Sequence, residues 1–412
     1  MSANDENNGI VEKGLFAYNR IVLYICSMDN IFQYNKCVIG KQFLGRSVEV
    51  RAFANLLSQG ENVVIYEPPK TGRKSLVQQG FYTMKSSGAQ FVAAQLSLLN
   101  VRTQADFALR LAGSVLNTLG SSPADLSRAA KEWLPDTHFV FDANRFGAFG
   151  EPLSLSGALD QTDLQAAFLL PYRIGKQAGV KRIVVIDEFQ NVMQTEDGDQ
   201  ICQQLEEVFK TLPAELAGGA SYVFLGSQVN AMHEIFGVKR WFWRRAERIR
   251  LSSVDTRDII EHVVKGFLAT GKVIDRDLLL GVCRLFRNNI WYINHFCAIC
   301  DSLSRGYIME QILKEALDSL VAIHEPAFVA TMNDLTTFQV SLLRAILDGH
   351  TRFSSAEVIR QYNLSSSANV RRLKDALCKK EIVTFDEDET PVVLDPLFEY
   401  WVRKEYFNMS VA

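Results

Sequence analysis

Residues 65–76 read IYEPPKTGRKSL, a short β-branched start followed by a Pro-Gly loop and three cations or hydroxyls in a row. A loop that grips phosphate needs glycines so that the backbone can close on the oxygens. It also needs a cation for their charge and a hydroxyl for Mg²⁺. Laid without a gap on the pattern G-x-x-x-x-G-K-[ST], the stretch puts Glu67 at the first glycine and keeps Gly72 at the second. Arg73 takes the lysine position and Lys74 the hydroxyl position. Glu67 brings negative charge toward phosphate unless it turns away. Arg73 keeps the positive charge on a bulkier, planar fork. Lys74 removes a metal ligand and sets an ammonium near the metal's place. A register shifted by one residue would use Lys74 and Ser75 as the Lys-Ser pair, with one extra residue in the loop. In either register Pro68, Pro69, Lys70 and Thr71 form the loop body, and Gly72, Arg73, Lys74, Ser75 and Leu76 its carboxyl side. The bland alternative is an ordinary turn.

Two further strand ends fit the same chemistry. KRIVVIDEFQNV (181–192) is a continuous apolar run ending in Asp187-Glu188. One acid would hold Mg²⁺ through water, and the next would polarise an attacking water. SYVFLGSQ (221–228) ends in Ser227-Gln228, polar groups suited to touching a terminal phosphate. In a parallel sheet these ends share one carboxyl edge, where α/β proteins bind ligands.

The elements that must position them follow from periodicity. NVVIY (62–66) is a strand, and SLVQQGFYTMKSS after it a helix. AQFVAAQLSL (89–98) is a second strand and QADFALRLAGSVLNTLG (104–120) an amphipathic helix. The Ser/Gly/Pro-rich stretch 121–160 reads as a long loop or insertion. Strands of continuous apolarity alternating with helices predict a parallel sheet covered on both faces. Strand signals stop near 252, and 252–330 reads as helices. The last part reads as three helices and a hairpin around an acidic turn, a winged-helix pattern. The expected organisation is therefore an extension over 1–27, an α/β core over 28–251, a helical lid over 252–330 and a winged helix over 331–412.

The chain has 412 residues, enough for two or three domains. A net charge of -3 gives no global basic signature, so any nucleic-acid contact must come from a local patch. Seven scattered cysteines without framework spacing read as reduced thiols of a cytoplasmic protein. Cys297 and Cys300 lie in an apolar helical stretch and read as core residues. IVLYICSM (21–28) is too short for a membrane span, which needs ~20 apolar residues. The six histidines show no ligand spacing; His295 and His350 stand alone.

With these pieces in place, the chain resembles the prokaryotic AAA-type ATPases of the archaeal ATPase family, close to the STAND class. FLGRSVEV is similar to that family's F-x-G/D-R-x-x-E motif. The resemblance places Gly45, Arg46 and Glu49 beside a nucleotide base. MHEIFGVKRWFWRRAERIRLSSV (232–254) resembles a later family stretch and puts Arg245 in the slot of a trans-acting or sensor arginine. The lid's Gly-x-Pro-Tyr turn reads RNNIWYI here, without the Gly and Pro. The resemblance implies ATP and Mg²⁺ as ligands, with Asp187 on the metal, and Asp187, Glu188 and Arg245 as the catalytic set.

Two basic stretches remain. Lys239, Arg240, Arg244, Arg245, Arg248 and Arg250, interleaved with Trp241 and Trp243, could meet phosphate, a neighbouring subunit or nucleic acid, or simply form a solvated face. The winged helix offers Arg371, Arg372 and Lys374 to DNA, while DEDE (386–389) in its wing would repel it. The expected function is an ATP-dependent switch with weak or lost hydrolysis. The alternatives are a non-hydrolysing scaffold for a protein partner or for self-association, and a winged-helix DNA-binding regulator.

Overall fold

The computed structural model describes residues 31–386 and 388–409. The extension expected over 1–27, with Cys26, lies outside the described residues.

Five parallel strands form the central sheet: β1 (Val63–Tyr66), β2 (Phe91–Ser97), β5 (Lys181–Asp187), β6 (Ala220–Gly226) and β7 (Glu247–Arg248). Between β2 and β5 the chain makes the antiparallel hairpin β3 (Phe139–Phe141) and β4 (Leu153–Leu155). The sheet order is β2-β5-β6-β1-β7, with Val63 opposite Val223 and Ser97 opposite Asp187. Side chains alternate across the pleat. Val63, Ile65, Ile183, Val185, Val223 and Leu225 pack under the helices Ser47–Gln59 and Arg73–Ser86. Val64, Tyr66, Val184, Ile186, Tyr222 and Phe224 face the helices Gln104–Leu116, Gln161–Ala178 and Gly198–Thr211. Both faces are covered, as the apolar runs predict.

The stretch 121–160 is not the loop expected from its composition. It holds the helices Pro123–Trp133 and Ala143–Phe149 besides the hairpin. Short helices here depend on their ends. Ser122 and Asp142 accept the orphan amides of the first turns, and Gly150 closes the second helix at φ +70°.

Beyond the sheet, helices Thr256–Ala269, Arg276–Leu285, Ile290–Leu303 and Glu310–Asn333 are tied by a two-residue parallel pair, β8 (Val273–Ile274) with β9 (Tyr307–Ile308). That pair is too short to show in sequence. Helix Glu310–Asn333 runs across the expected lid–winged-helix boundary at 330. Then come helices Thr337–Leu347, Ala356–Gln361 and Ser367–Lys379, the hairpin β10 (Val383–Phe385) and β11 (Pro391–Val393), and helix Pro396–Trp401. Lid and winged helix share one apolar core, from Phe32 and Val254 to Trp401 and Val402. Phe328 packs on Phe398 and Trp401, with ring centroids 5.5 and 5.7 Å away.

Candidate functional site

The turn after β1 is built on two left-handed residues, Lys70 (φ +67°) and Gly72 (φ +90°). Gly72 caps helix Arg73–Ser86, so the helix's free amides face the loop. Arg73 is buried at 8% exposure and folds back across the loop. Its Nη1 donates to the carbonyls of Glu67 and Pro68, and its Nη2 lies 3.6 Å from Glu188 Oε1. Burial lowers its pKa, with Glu188 and Asp187 opposing. Thr71 Oγ1 donates to the Pro68 carbonyl at 2.7 Å and closes the turn. Pro68 therefore contributes its carbonyl to the loop, whereas Pro69 is exposed. Leu76 is fully buried in the sheet–helix core, so its side chain does not face the loop interior.

Glu67 does turn away. Its Oε1 accepts from Leu251 N at 3.1 Å, and burial raises its pKa. Arg46 clamps the loop from outside, donating to Thr71 O at 2.5 Å and to Ser252 O at 2.9 Å. Glu49 holds the same segment through Ser252 N at 3.0 Å. Gly45, at φ +66°, lies against Val254, where the lid begins.

Asp187, Glu188, Ser227 and the loop meet at the carboxyl edge, as their strand positions predict. Glu188 sits at φ +55°, an uncommon conformation for a non-glycine residue. Its Oε2 accepts from Ser227 Oγ and, at 2.6 Å, from Gln190 Nε2. Gln228 caps helix Val229–Phe236 without a side-chain bond to it. Lys74 Nζ lies 2.5 Å from Asp187 Oδ2. Ser75 points elsewhere: its Oγ accepts from Val38 N at 3.2 Å. The two residues line different cavities, Lys74 one of about 330 Å³ with Asp187, and Ser75 one of about 90 Å³ under the lid. The ungapped register is therefore the one the structure adopts.

These residues do not fit Mg²⁺. The ion demands near-octahedral oxygen ligands, and an ammonium stands where the hydroxyl would be. Asp187 Oδ2 is taken by that ammonium, and Oδ1 is buried without any partner. Arg73 Nε and Gln190 Oε1 are likewise buried and unpartnered, so orphaned polar atoms gather at this site.

Arg245 is not part of this assembly. Glu247 pairs with Val63 at the amino end of β1, and the Arg245 carbonyl accepts from Asn62 Nδ2 at 3.1 Å. The guanidinium therefore starts at the opposite sheet edge, about 13 Å away for a four-residue strand. The expectation of a sensor on this chain's own loop is corrected: Arg245 is exposed at the far edge of the sheet. Arg248, which sequence reasoning left in the basic string, does face the carboxyl half, 3.8 Å over the Tyr66 ring.

The residues that sequence reasoning missed come from the lid and the winged helix. Lys70 Nζ donates to Tyr292 Oη at 2.8 Å and lies 4.6 Å from the Trp291 and Tyr292 ring centroids. Tyr292 in turn donates to Asp395 Oδ2 at 2.6 Å. Asp395 Oδ1 caps helix Pro396–Trp401. Burial, then Asp395, pushes the Tyr292 hydroxyl far above its usual range. In the lid turn, Arg287 and Asn288 take positive φ themselves, replacing the expected glycine. Arg287 pairs with Glu399 and donates to Val393 O at 2.6 Å. Close by, Tyr34 stacks on His295 at 4.1 Å, and burial brings that imidazole down to about 4.

The described cysteines are all free, and Cys297 and Cys300 are buried in the lid core. His138, Asp160 and Asp163 come together at the β3–β4 hairpin, a grouping their spacing did not show. Asp163 is fully buried and accepts from His138 N, His138 Nδ1 and Asp160 N, which accounts for its presence structurally. Among the described residues no helix is long and apolar enough to cross a membrane.

Residues 326–404 match the family described as a probable winged helix domain. A search of curated proteins finds no match. Among solved structures the chain is similar to a Walker-type ATPase of Pyrococcus abyssi, with a TM-score of 0.64 at 14% identity, over 90% of this chain and 99% of that one. The ORC2 protein of Aeropyrum pernix, solved as ADPNP-ADP complexes, superposes at a TM-score of 0.48 and 15% identity, over 89% of this chain and 93% of that one. The fold is thus that of a Walker-type ATPase, a mainly parallel sheet between helices, with a C-terminal winged helix.

Proposed function

We propose that the chain is a cytoplasmic nucleotide-responsive switch of the AAA/STAND type, in which ATP phosphates held at residues 68–76 set the position of the winged helix. The observation that carries this reading is the hydrogen-bonded line from Lys70 through Tyr292 to Asp395. One loop cation thereby touches the lid and, through one hydroxyl, the cap of a winged-helix element. Phosphate would compete for Lys70, and its departure would take from Tyr292 Oη the hydrogen bond it now accepts, loosening the lid against the loop. Such a ligand shifts the equilibrium only as far as it prefers one lid arrangement. The space under the lid is about 90 Å³, against the roughly 300 Å³ or more of small-molecule sites. Nucleotide would therefore favour a lid more open than this one. Hydrolysis is weak or lost in this reading, because Arg73 and Lys74 are both engaged with the acids.

The test is amide hydrogen exchange on the full chain with and without ATP. ATP should raise exchange around residues 292 and 395–401 in the native chain. Tyr292→Phe should bind ATP as well and give no such response. An unchanged pattern in the native chain at saturating ATP would refute the switch.

A second reading, a non-hydrolysing scaffold that binds a protein partner or a second copy, draws on the same engaged cations: the loop is internally satisfied without a ligand. Absence of ATP binding at millimolar concentration favours it.

A further inference from the structure

We infer that the phosphate site works without a divalent metal, the Lys74 ammonium serving as its built-in cation for a nucleotide's polyphosphate. The inference rests on the nucleotide reading above and deepens it.

Three observations carry it. First, Lys74 Nζ is 2.5 Å from Asp187 Oδ2, the acid that would otherwise face a metal. Second, the two oxygen donors nearest the acid are already engaged or buried: Asp187 Oδ1 is buried, and Ser75 Oγ accepts from Val38 N at 3.2 Å. Third, Lys74 is 57% exposed at its side chain while its partner is 12% exposed, so the ammonium reaches the acid from the open side of a 330 Å³ cavity. An ammonium has three donors; with one on Asp187, two remain for phosphate oxygens entering from that cavity. Arg73 supplies a second fixed cation beside it, with its Nε buried and unpartnered. A divalent ion would have to displace Lys74 from Asp187 and then sit beside it, cation against cation. Polyphosphate faces the opposite situation, since the site already carries its counter-charge.

The experiment is calorimetric titration of ATP into the full chain, once with excess Mg²⁺ and once with EDTA, for the native protein and Lys74→Ser. Lys74 is exposed, so the substitution should fold; matched melting curves check this. The native protein should bind ATP within about twofold in the two buffers. Lys74→Ser, with its hydroxyl restored and Asp187 released, should bind at least about tenfold more weakly in EDTA than in Mg²⁺. Native binding that falls tenfold or more in EDTA overturns the inference and leaves the nucleotide reading standing. A metal-independent Lys74→Ser overturns it as well, because the lysine would then not be what replaces the metal. No ATP binding by the native chain in either buffer removes the nucleotide reading and this inference together.

Discussion

Glu381, in the turn before the wing, accepts the first amides of a helix in the α/β core: its Oε1 lies 2.9 Å from Asn230 N and 3.0 Å from Ala231 N. Asn230 returns the contact, its Nδ2 donating to Cys378 O and Val383 O at 3.0 and 2.9 Å. Helix Val229–Phe236 follows Ser227 and Gln228 directly and lacks a cap of its own. Its free amides are satisfied by another part of the chain, so the winged helix is docked next to the strand end that carries Ser227.

Glu381→Ala should therefore loosen that docking. Loss of a capping acceptor costs about 0.5–2 kcal/mol. Amide exchange should rise at residues 229–233 and 381–385, with the sheet unaffected. Glu381→Gln keeps an acceptor oxygen and relieves the burial that raises this acid's pKa, so it should behave nearly as the native chain. Equal effects of the two substitutions would show that the contact does not act through the cap.

On the proposed nucleotide reading, Arg73 and Glu188 should separate binding from turnover. Arg73→Ala removes a buried cation and takes its donor from the Glu67 carbonyl, while the Pro68 carbonyl keeps Thr71 Oγ1. ATP affinity should fall by at least about tenfold, and the melting temperature should fall with it. Arg73→Lys keeps the charge and should recover part of both. Glu188→Gln removes the carboxylate but can still accept from Ser227 and Gln190. It should abolish whatever phosphate release the native chain shows while ATP affinity stays within about threefold. Release that survives Glu188→Gln rules out the water-activating role.

The hairpin beside β2 carries a pH dependence of its own. The hydrogen bond that His138 Nδ1 donates to the Asp163 carboxylate raises the pKa of His138. A raised folded-state pKa means stabilisation fully present below the usual value, about 6.5, and lost as pH rises through the elevated one. Thermal stability of the native chain should decline over that window. His138→Gln should flatten it. Asp163→Ala should lower stability at every pH in the range, because three donors lose their acceptor at a fully buried position. An identical pH profile in native and His138→Gln protein would place the titration elsewhere.

The loop after β1 and the place of the Asp187-Glu188 pair were readable in sequence because their geometry is local. A glycine at the cap and acids at a strand end sit where spacing alone puts them. The order of the parallel strands then brings those ends together. What could not be read depends on distant pairs. Lys70 and Tyr292 are 222 residues apart, and Asn230 and Glu381 are 151 apart. A linear motif does not tell which edge of the sheet Arg245 joins; the pairing of Glu247 with Val63 does. The helices in 121–160 were missed because their polar composition looks like a loop until Ser122 and Asp142 are seen as caps.

The last prediction concerns DNA. On helix Ser367–Lys379, Arg371 and Arg372 are exposed and form no ion pair among the described residues. Lys374 is held by Glu389 of the wing and lies 4.1 Å over the Phe385 ring, and Lys380 pairs with Asp334. Ser366 and Asn369, suited by position to reading bases, are occupied in capping the helix and bonding Leu364 O. Arg371, Arg372 and the exposed Lys379 give at most three phosphate contacts from this helix, so any retention on duplex should be weak, with a salt slope no steeper than about -2.7. Anisotropy of a short labelled duplex across rising KCl measures it. Arg371→Ala with Arg372→Ala should weaken retention and flatten the slope by about 1.8, and Glu389→Gln, by freeing Lys374, should strengthen it and steepen the slope by about 0.9. No retention by the native chain or Glu389→Gln at low salt would leave this helix to protein contacts. Retention indifferent to Arg371 and Arg372 would move the DNA surface to another face, with the exposed Arg240, Arg244 and Trp243 the next residues to change.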